Sequence, residues 1–308
     1  MKIGQFKKNK RKYLLVVYNG QVYQNNSRLS PNTVDLVRNL GKKNLTSKIL
    51  ELIKNSKFKK ILNKEELIYK KYKPLKPIDI TEAWAVGVTY RRQALEHDKD
   101  LRLKGKKDDL YFYVYKNHRA EVFFKGVSRT IVGSNEKLYL RSDSKLIMPE
   151  PELVLVIGNN GLPVGYTLGN DLTAWDIEKE CPLYLSQAKV WKGSGSFGPW
   201  IIPTETVSTP YDFEIKCKVI RKKKIILEST GNTKDLKRSV EELCYFMNLS
   251  NKVSPGSILF TGTACVIDHN FSLKKNDLVS ISNSQIGNLE NYIDLHKKDK
   301  KYYRRIKF

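Results

Sequence analysis

The chain has 308 residues, 40% of them hydrophobic and 29% charged, with 56 Lys+Arg against 32 Asp+Glu and a formal net charge of +24. That apolar content excludes a disordered chain, and the length accommodates one large domain or two smaller ones with a sizeable core. The run Tyr13 to Tyr18 is too short for a secretory h-region or a membrane helix, so the expectation is a cytoplasmic protein with no membrane partner.

The charge is concentrated at the ends. Residues 1–80 hold 20 Lys+Arg against 5 Asp+Glu, and the last twelve, from Lys297, hold 7 against 1. The stretch between them is nearly neutral. Basic ends attract polyanions, but no RNP, zinc-finger or basic-zipper pattern accompanies them. A solvated lysine-rich surface is the simpler reading, and a nucleic-acid partner the less favoured one. Cys181, Cys217, Cys244 and Cys265 are far apart, with no CxxC pair, and read as reduced core residues.

Taken in chain order, Tyr13–Tyr18, Asn19-Gly20 and Gln21–Gln24 form a hairpin pattern, because Asn-Gly supplies the positive φ values of a type I′ turn. Helical patterns follow at Val34–Leu40, after Ser30-Pro31, and at Leu45–Leu62, where Ile49, Leu52, Ile53 and Ile61 fall near one face. The two prolines of Lys73–Pro77 mark a linker, which divides a small basic α/β domain (1–80) from a second domain (81–308) with a basic tail. The segment Trp84–Tyr90 reads as a buried strand, and 91–112 as a charged helical stretch able to move. β patterns then dominate: Leu153–Ile157, Phe213–Ile220 with Lys224–Ser229, Ile258–Ile267 and Leu278–Ser282. One amphipathic helix, Asp235–Met247, interrupts them. The fold class expected is α+β, with a mixed, mostly antiparallel second domain.

Gly193-Ser-Gly-Ser-Phe-Gly198 matches GxGxxG literally, but Pro199 to Pro203 follow it, and no helix can open there. A dinucleotide site is therefore rejected. Glu150 and Glu152 are the stronger signal. At i and i+2 of an extended segment they share a face at the mouth of an apolar strand, and close carboxylates require a cation or a shared proton. A hard divalent ion suits such oxygen donors. Asp171, in Gly169–Thr173, is available as a third acid. Alone, this pattern also fits a solvated strand edge.

Several segments, in order, resemble the fumarylacetoacetate hydrolase superfamily: Val86–Tyr90, Pro149–Leu153, Gly165–Asp171, Lys189–Trp200 with its Phe-Gly-Pro-Trp ending, and Pro255–Thr263. The resemblance covers about residues 84–290 and implies a β-roll catalytic domain. It implies that Glu150, Glu152 and Asp171 hold Mg²⁺ (or Mn²⁺ or Ca²⁺), and that Thr261, Gly262 and Thr263 form a substrate-binding loop. Hydrolytic members are similar to Tyr-x-x-His-x-x-Glu after the first strand. Here Gln93 stands where the His belongs, and Gln cannot take a proton near neutral pH.

Ala120–Lys125, Arg141–Ser144 and Cys181–Lys189 look like the branch of 2-keto-3-deoxy-D-arabinonate dehydratases. That branch implies a hydro-lyase of pentose oxidation, with Glu121 and Lys189 as catalytic residues, a small sugar-acid substrate, and a homodimer or homotetramer. Lys189 is expected either to stabilise an oxyanion or assist as an acid, or else to form a Schiff base. Arg91 and Arg92 read as substrate-binding lid residues or as plain surface charge. His97, His118, His269 and His296 lack metal-ligand spacing and read as structural or surface residues, Trp175 as packing, and Asp176 as a supporting partner. The alternatives are a hydrolase or decarboxylase of a diketo acid, and a nucleic-acid-binding protein on an inactive scaffold.

Overall fold

Asn19 and Gly20 adopt φ of 49° and 72°, the left-handed pair that a two-residue hairpin needs. They join the strands Arg11–Tyr18 and Gln21–Asn25 in antiparallel register, Tyr18 opposite Gln21. The structure, a computed structural model, describes residues 1–26, 32–102 and 109–296. Ser30-Pro31, part of the stretch 91–112 and the basic tail from Lys297 thus lie outside the described residues.

The second expected helix is shorter than its pattern. Asn44 caps Leu45–Lys54 by accepting from the Ser47 N–H at 2.8 Å, and the helix stops at Asn55, before Ser56 with φ of 55°. Phe58–Leu62 is instead a strand paired with Gln21–Asn25, so Ile61 lies on a strand rather than on the helix face. The apolar spacing fits both states, and the left-handed turn at Ser56 decides between them. The amphipathic helix later in the chain begins at Val240 and runs to Asn248, behind a Ser239 cap that accepts from the Glu242 N–H.

One large sheet organises the molecule. Its main path runs Phe58–Leu62, Gln21–Asn25, Arg11–Tyr18, Lys2–Lys8, Gly195–Pro203, Pro163–Asp171, Pro151–Ile157, Ile258–Thr263, Glu82–Gly87 and Glu121–Val127. The N-terminal strands join it through Ile3 opposite Ile201, and Lys73-Pro74 lies along Lys2–Lys8. A second sheet follows the order Lys224–Asn232, Glu214–Arg221, Leu278–Asn283, Gly287–Leu295 and Lys137–Leu140. Most pairings are antiparallel. The segment 193–198 feeds a buried strand, Gly195–Pro203, and opens no helix, as the prolines dictate.

Every residue of Pro151–Ile157 is buried, because the strand has a core on each face. Leu153, Leu155 and Ile157 pack with Cys217, Val219 and Ile281 of the second sheet and with Leu243 and Met247 of the helix. Val154 and Val156 face the other way, toward Phe260, Phe197, Ile3 and Ile49. The period-two alternation of a strand is satisfied by apolar residues throughout. The wall behind Glu150 and Glu152 is therefore dry on both sides. Leu155 is fully buried, so Leu155→Ala should cost about 2–5 kcal/mol, read as a lower urea midpoint at unchanged slope.

Candidate active site

The hairpin Pro151–Ile157/Pro163–Asp171 places Asn170 opposite Pro151. The Asp171 N–H donates to the Glu150 carbonyl at 2.9 Å, and the Glu150 N–H to Asn170 Oδ1 at 3.1 Å. On the other side of Pro151–Ile157, the register with Ile258–Thr263 shifts between Glu152 and Val154, leaving Glu152 opposite Thr263. Such an irregularity re-aims a side chain. The Gly262 N–H, at φ of 89°, donates to Glu152 Oε2 at 2.7 Å. A Cβ at that position would fall 2.0 Å from Thr89 Oγ1, so only glycine lets the strand come this close.

Glu150, Glu152 and Asp171 are all buried, and each offers an oxygen within 4.8 Å of the others. Burial first, then the charges of Asp171 and Glu150, push the Glu152 carboxyl well above the usual carboxylate range. Three carboxylates so placed match the donor set of a hard divalent cation.

Two buried lysines answer part of this charge. Lys189, the last residue of the helix Leu185–Lys189, donates to Glu150 Oε2 at 2.8 Å and to Thr173 Oγ1 at 2.6 Å, and lies 3.6 Å from Asp171. Burial alone would lower its pKa, but Asp171 and Glu150 outweigh it and hold the ammonium charged. Lys125 is fully buried, pairs with Asp171, and donates to the carbonyls of Lys189 and Leu172. The Thr173 hydroxyl donates to Glu150 Oε1 at 2.5 Å.

Opposite this cluster stand two more acids. Glu121 begins the strand Glu121–Val127, paired with Gly87. Burial and the neighbouring Glu178 carboxylate raise its pKa to about 7, against the pull of Lys189. Glu178, on the helix Trp175–Glu180, is buried and accepts from the Tyr111 hydroxyl at 2.8 Å. Burial is also the main cause of its raised pKa.

A single cavity is lined by Glu150, Glu152, Asp171, Lys189, Glu121 and Glu178, together with Gly262, Thr263, Gln93 and His97. The structure thus gathers seven of the ten residues singled out from sequence. Thr261 does not line it, because its hydroxyl donates to the Leu153 carbonyl within the sheet. Arg91 and Arg92 are exposed on the helix Arg91–Arg102 and do not line it either, Arg91 lying over the Phe112 ring. Trp175 is fully buried packing, and Asp176 accepts from Ser144 and the Lys145 N–H. Sequence reasoning passed over Glu178, Lys125, Thr173 and Tyr111, and it read His97 as a structural or surface residue. His97 is not peripheral: it touches Gln93 at 2.8 Å and stacks on Tyr111 and His269. Burial lowers its pKa, which keeps it neutral. Lys125 sits in the same alternating strand as Glu121, four residues on, and that even spacing was the one available signal.

Over residues 82–294 the sequence matches the family described as fumarylacetoacetate (FAA) hydrolase, C-terminal. The chain belongs to this family. It is 38% identical over 216 residues to the 2-dehydro-3-deoxy-D-arabinonate dehydratase of Saccharolobus solfataricus, covering 70% of this chain and 72% of that one. It is 37% identical over 219 residues to a probable 2-keto-3-deoxyxylonate dehydratase of Haloferax volcanii, covering 70% and 73%. Among solved structures, 2-keto-3-deoxy-D-arabinonate dehydratase complexed with magnesium and 2,5-dioxopentanoate superposes with a TM-score of 0.80 at 28% identity. That match covers 97% of this chain and all of the other. The apo form gives a TM-score of 0.81. The α+β, strand-rich architecture is thus the family's. Among the described residues, no helix is long and apolar enough to cross a membrane.

Removing Lys125 would leave the buried Asp171 charge without its nearer partner. Lys125→Met should therefore cost about 3–5 kcal/mol in folding stability, measured by urea unfolding in EDTA. Added MgCl₂ should raise the Tm of the unmodified protein, since a ligand that binds only the folded state stabilises it. In Glu150→Ala that shift should vanish.

Proposed function

We propose that this chain is a divalent-metal-dependent dehydratase that converts 2-keto-3-deoxy-D-arabinonate, or its xylonate-derived C4 epimer, to 2,5-dioxopentanoate and water. The observation that carries this reading is one buried cavity holding three metal-fitting carboxylates beside Lys189 and Glu121. The sequence identity to two dehydratases adds to it.

Glu150, Glu152 and Asp171 would hold the ion, Mg²⁺ above all, with Mn²⁺ or Ca²⁺ as further hard cations. When bound, it supplies positive charge that polarises the C2 carbonyl and the C1 carboxylate of a 2-keto acid. Glu121 takes a proton from C3, and the freed pair forms the C2–C3 double bond of an enolate. The Lys189 ammonium stabilises the oxygen at C2. The enolate pair then forms the C3–C4 double bond and expels the C4 hydroxyl, which leaves as water with the proton that Glu121 returns. The resulting enone isomerises: one proton leaves C5 and one leaves its hydroxyl, while C3 and C4 each gain one. C4 is reduced and C5 oxidised within the same molecule, so no external oxidant enters.

The Lys189 ammonium is tied to Glu150 and Thr173, which favours electrostatic work over a Schiff base. Borohydride added with substrate should accordingly leave the protein's mass unchanged. The hydrolase or decarboxylase reading has less support, because the Gln93 amide occupies the position of the base and is bonded to His97. Nucleic-acid binding is supported only by the basic ends. We further infer a cytoplasmic homodimer or homotetramer: all four cysteines are free, and Ile225 and Ile226 are exposed on an edge strand of the second sheet. The basic residues 1–80 we read as an accessory unit to the catalytic sheet.

The deciding experiment incubates the purified protein with 2-keto-3-deoxy-D-arabinonate and Mg²⁺ and assays the semialdehyde, beside Glu150→Ala and Lys189→Ala. Product should form with the unmodified protein, and each variant should lose at least about 10²-fold in kcat. A fully active Glu150→Ala would sink the metal assignment. As the C3 base, Glu121 must be ionised. Burial first, then Glu178, Lys189 and Glu150 from the facing elements, set its pKa, so kcat/KM should climb as pH rises through about 7, and Glu121→Gln should lose that limb.

A further inference from the structure

Glu178 is the one acid of the cavity with no role in holding the metal or in the elimination. The helix Trp175–Glu180 turns Trp175 and Glu178, three apart, toward the interior. Glu178 is only 7% exposed. Its Oε1 accepts from the Tyr111 hydroxyl at 2.8 Å, while its Oε2 is buried and has no hydrogen-bond partner. Tyr111 is itself fixed. Asp98 accepts from the N–H groups of Tyr111 and Phe112 at 3.0 and 2.7 Å, and the Tyr111 ring stacks on His97 at 4.8 Å. A carboxyl group with one oxygen engaged and the other buried without a partner is costly unless something fills that second position. Both Glu178 and Glu121 border the cavity that would hold the substrate.

The proposed reaction needs more proton transfers than the elimination alone. Once Glu121 has returned its proton to the departing hydroxyl, the enone must still lose a proton from C5 and gain one at C4. We propose that Glu178 is the acid–base residue of this second stage, taking the C5 proton and delivering it to C4. The inference rests on the dehydratase reading. In the first half of the step, the C5–H bond breaks, its electron pair becomes the C4–C5 double bond, the C3–C4 pair shifts to C2–C3, and the C2 carbonyl pair moves onto oxygen near Lys189. In the second half, the Glu178 carboxyl protonates C4, the hydroxyl on C5 gives its proton to the Glu121 carboxylate to form the aldehyde, and Glu121 passes that proton to C3 as the C2–C3 pair takes it up and the C2 carbonyl re-forms. Two protons leave the C5 end, and two arrive at C3 and C4. The raised pKa of Glu178, caused by burial, suits a carboxyl that must also donate. The charged and titratable groups facing it are Lys189, Glu150, Asp171, Tyr111 and Glu121.

The test uses the magnesium-loaded full chain and substrate carrying deuterium on C5. A buried carboxyl that moves one proton between adjacent carbons should pass part of that deuterium to C4 of the product, seen by NMR. Glu178→Gln keeps the shape but not the acid. It should make product about 10²-fold more slowly and lose the C5-to-C4 label transfer. Its exchange of the C3 proton with D₂O and its affinity for Mg²⁺ in calorimetry should stay within about threefold of the unmodified protein. Tyr111→Phe should slow product formation about tenfold, the cost of one hydrogen bond of about 1.4 kcal/mol, and leave C3 exchange intact. Full-rate product formation, or undiminished label transfer, in Glu178→Gln would overturn the assignment. Parallel loss of C3 exchange and Mg²⁺ affinity would overturn it too, by showing a structural role. Failure of the unmodified protein both to exchange C3 and to form product would instead bring down the dehydratase reading.

Discussion

Five carboxyl groups share one buried cavity with the ammonium of Lys189, and a second ammonium, Lys125, stands directly behind it. This surplus of negative charge is the constraint on which the rest of the structure depends. Two like charges about 4 Å apart repel by about 4 kcal/mol at an effective dielectric of 20, so such a cluster persists only if a strong framework holds it and something positive completes it. The framework is the pair of strands Pro151–Ile157 and Pro163–Asp171, buried along both faces. A divalent cation and a retained proton are the two ways of completing the charge balance, and the site is arranged for both.

The two ways draw mainly, though not wholly, on different elements. Strand residues and the residue just ahead of a strand form the cation side: Glu152 and Asp171, with Glu150 preceding Pro151–Ile157 and the Gly262 N–H donating to Glu152. On the side of the proposed proton transfers, short helices supply Lys189, Glu178 and Tyr111, and the strand Glu121–Val127 supplies Glu121. Strand backbone is rigid and suits fixed coordination, whereas a helix end extends a long side chain across an opening. Lys125 connects the halves, since it pairs with Asp171 and also donates to the Lys189 carbonyl.

A net charge of +24 surrounds an anionic site. The two facts are compatible because surface lysines are solvated and screened within a Debye length of roughly 10 Å at 0.1 M salt, while the buried acids experience mainly each other. A cationic exterior would also draw a small anionic sugar acid toward the opening.

Much of the site was legible in the sequence. Glu150 and Glu152 were marked by the i, i+2 rule of extended chains, and the Asn19-Gly20 turn by its dihedral demands. Asp171 stood out as an available third acid, and the family motifs assigned it to the metal and added Glu121 and Lys189. The second helical pattern overran, because its apolar residues suited a helix and a strand alike until Ser56 broke the register. Glu178, Tyr111 and His97 stood in charged or aromatic stretches with no spacing that pointed inward. Thr261 belonged to the right motif, yet its hydroxyl is used by the sheet. The sequence alone determined which residue types alternate along a strand and where turns are forced, since these depend on neighbours a few positions away. Only the tertiary structure decided which acids meet: Glu121, Glu150 and Glu178 come from three separate segments, and their charges act on each other through space and burial rather than along the chain.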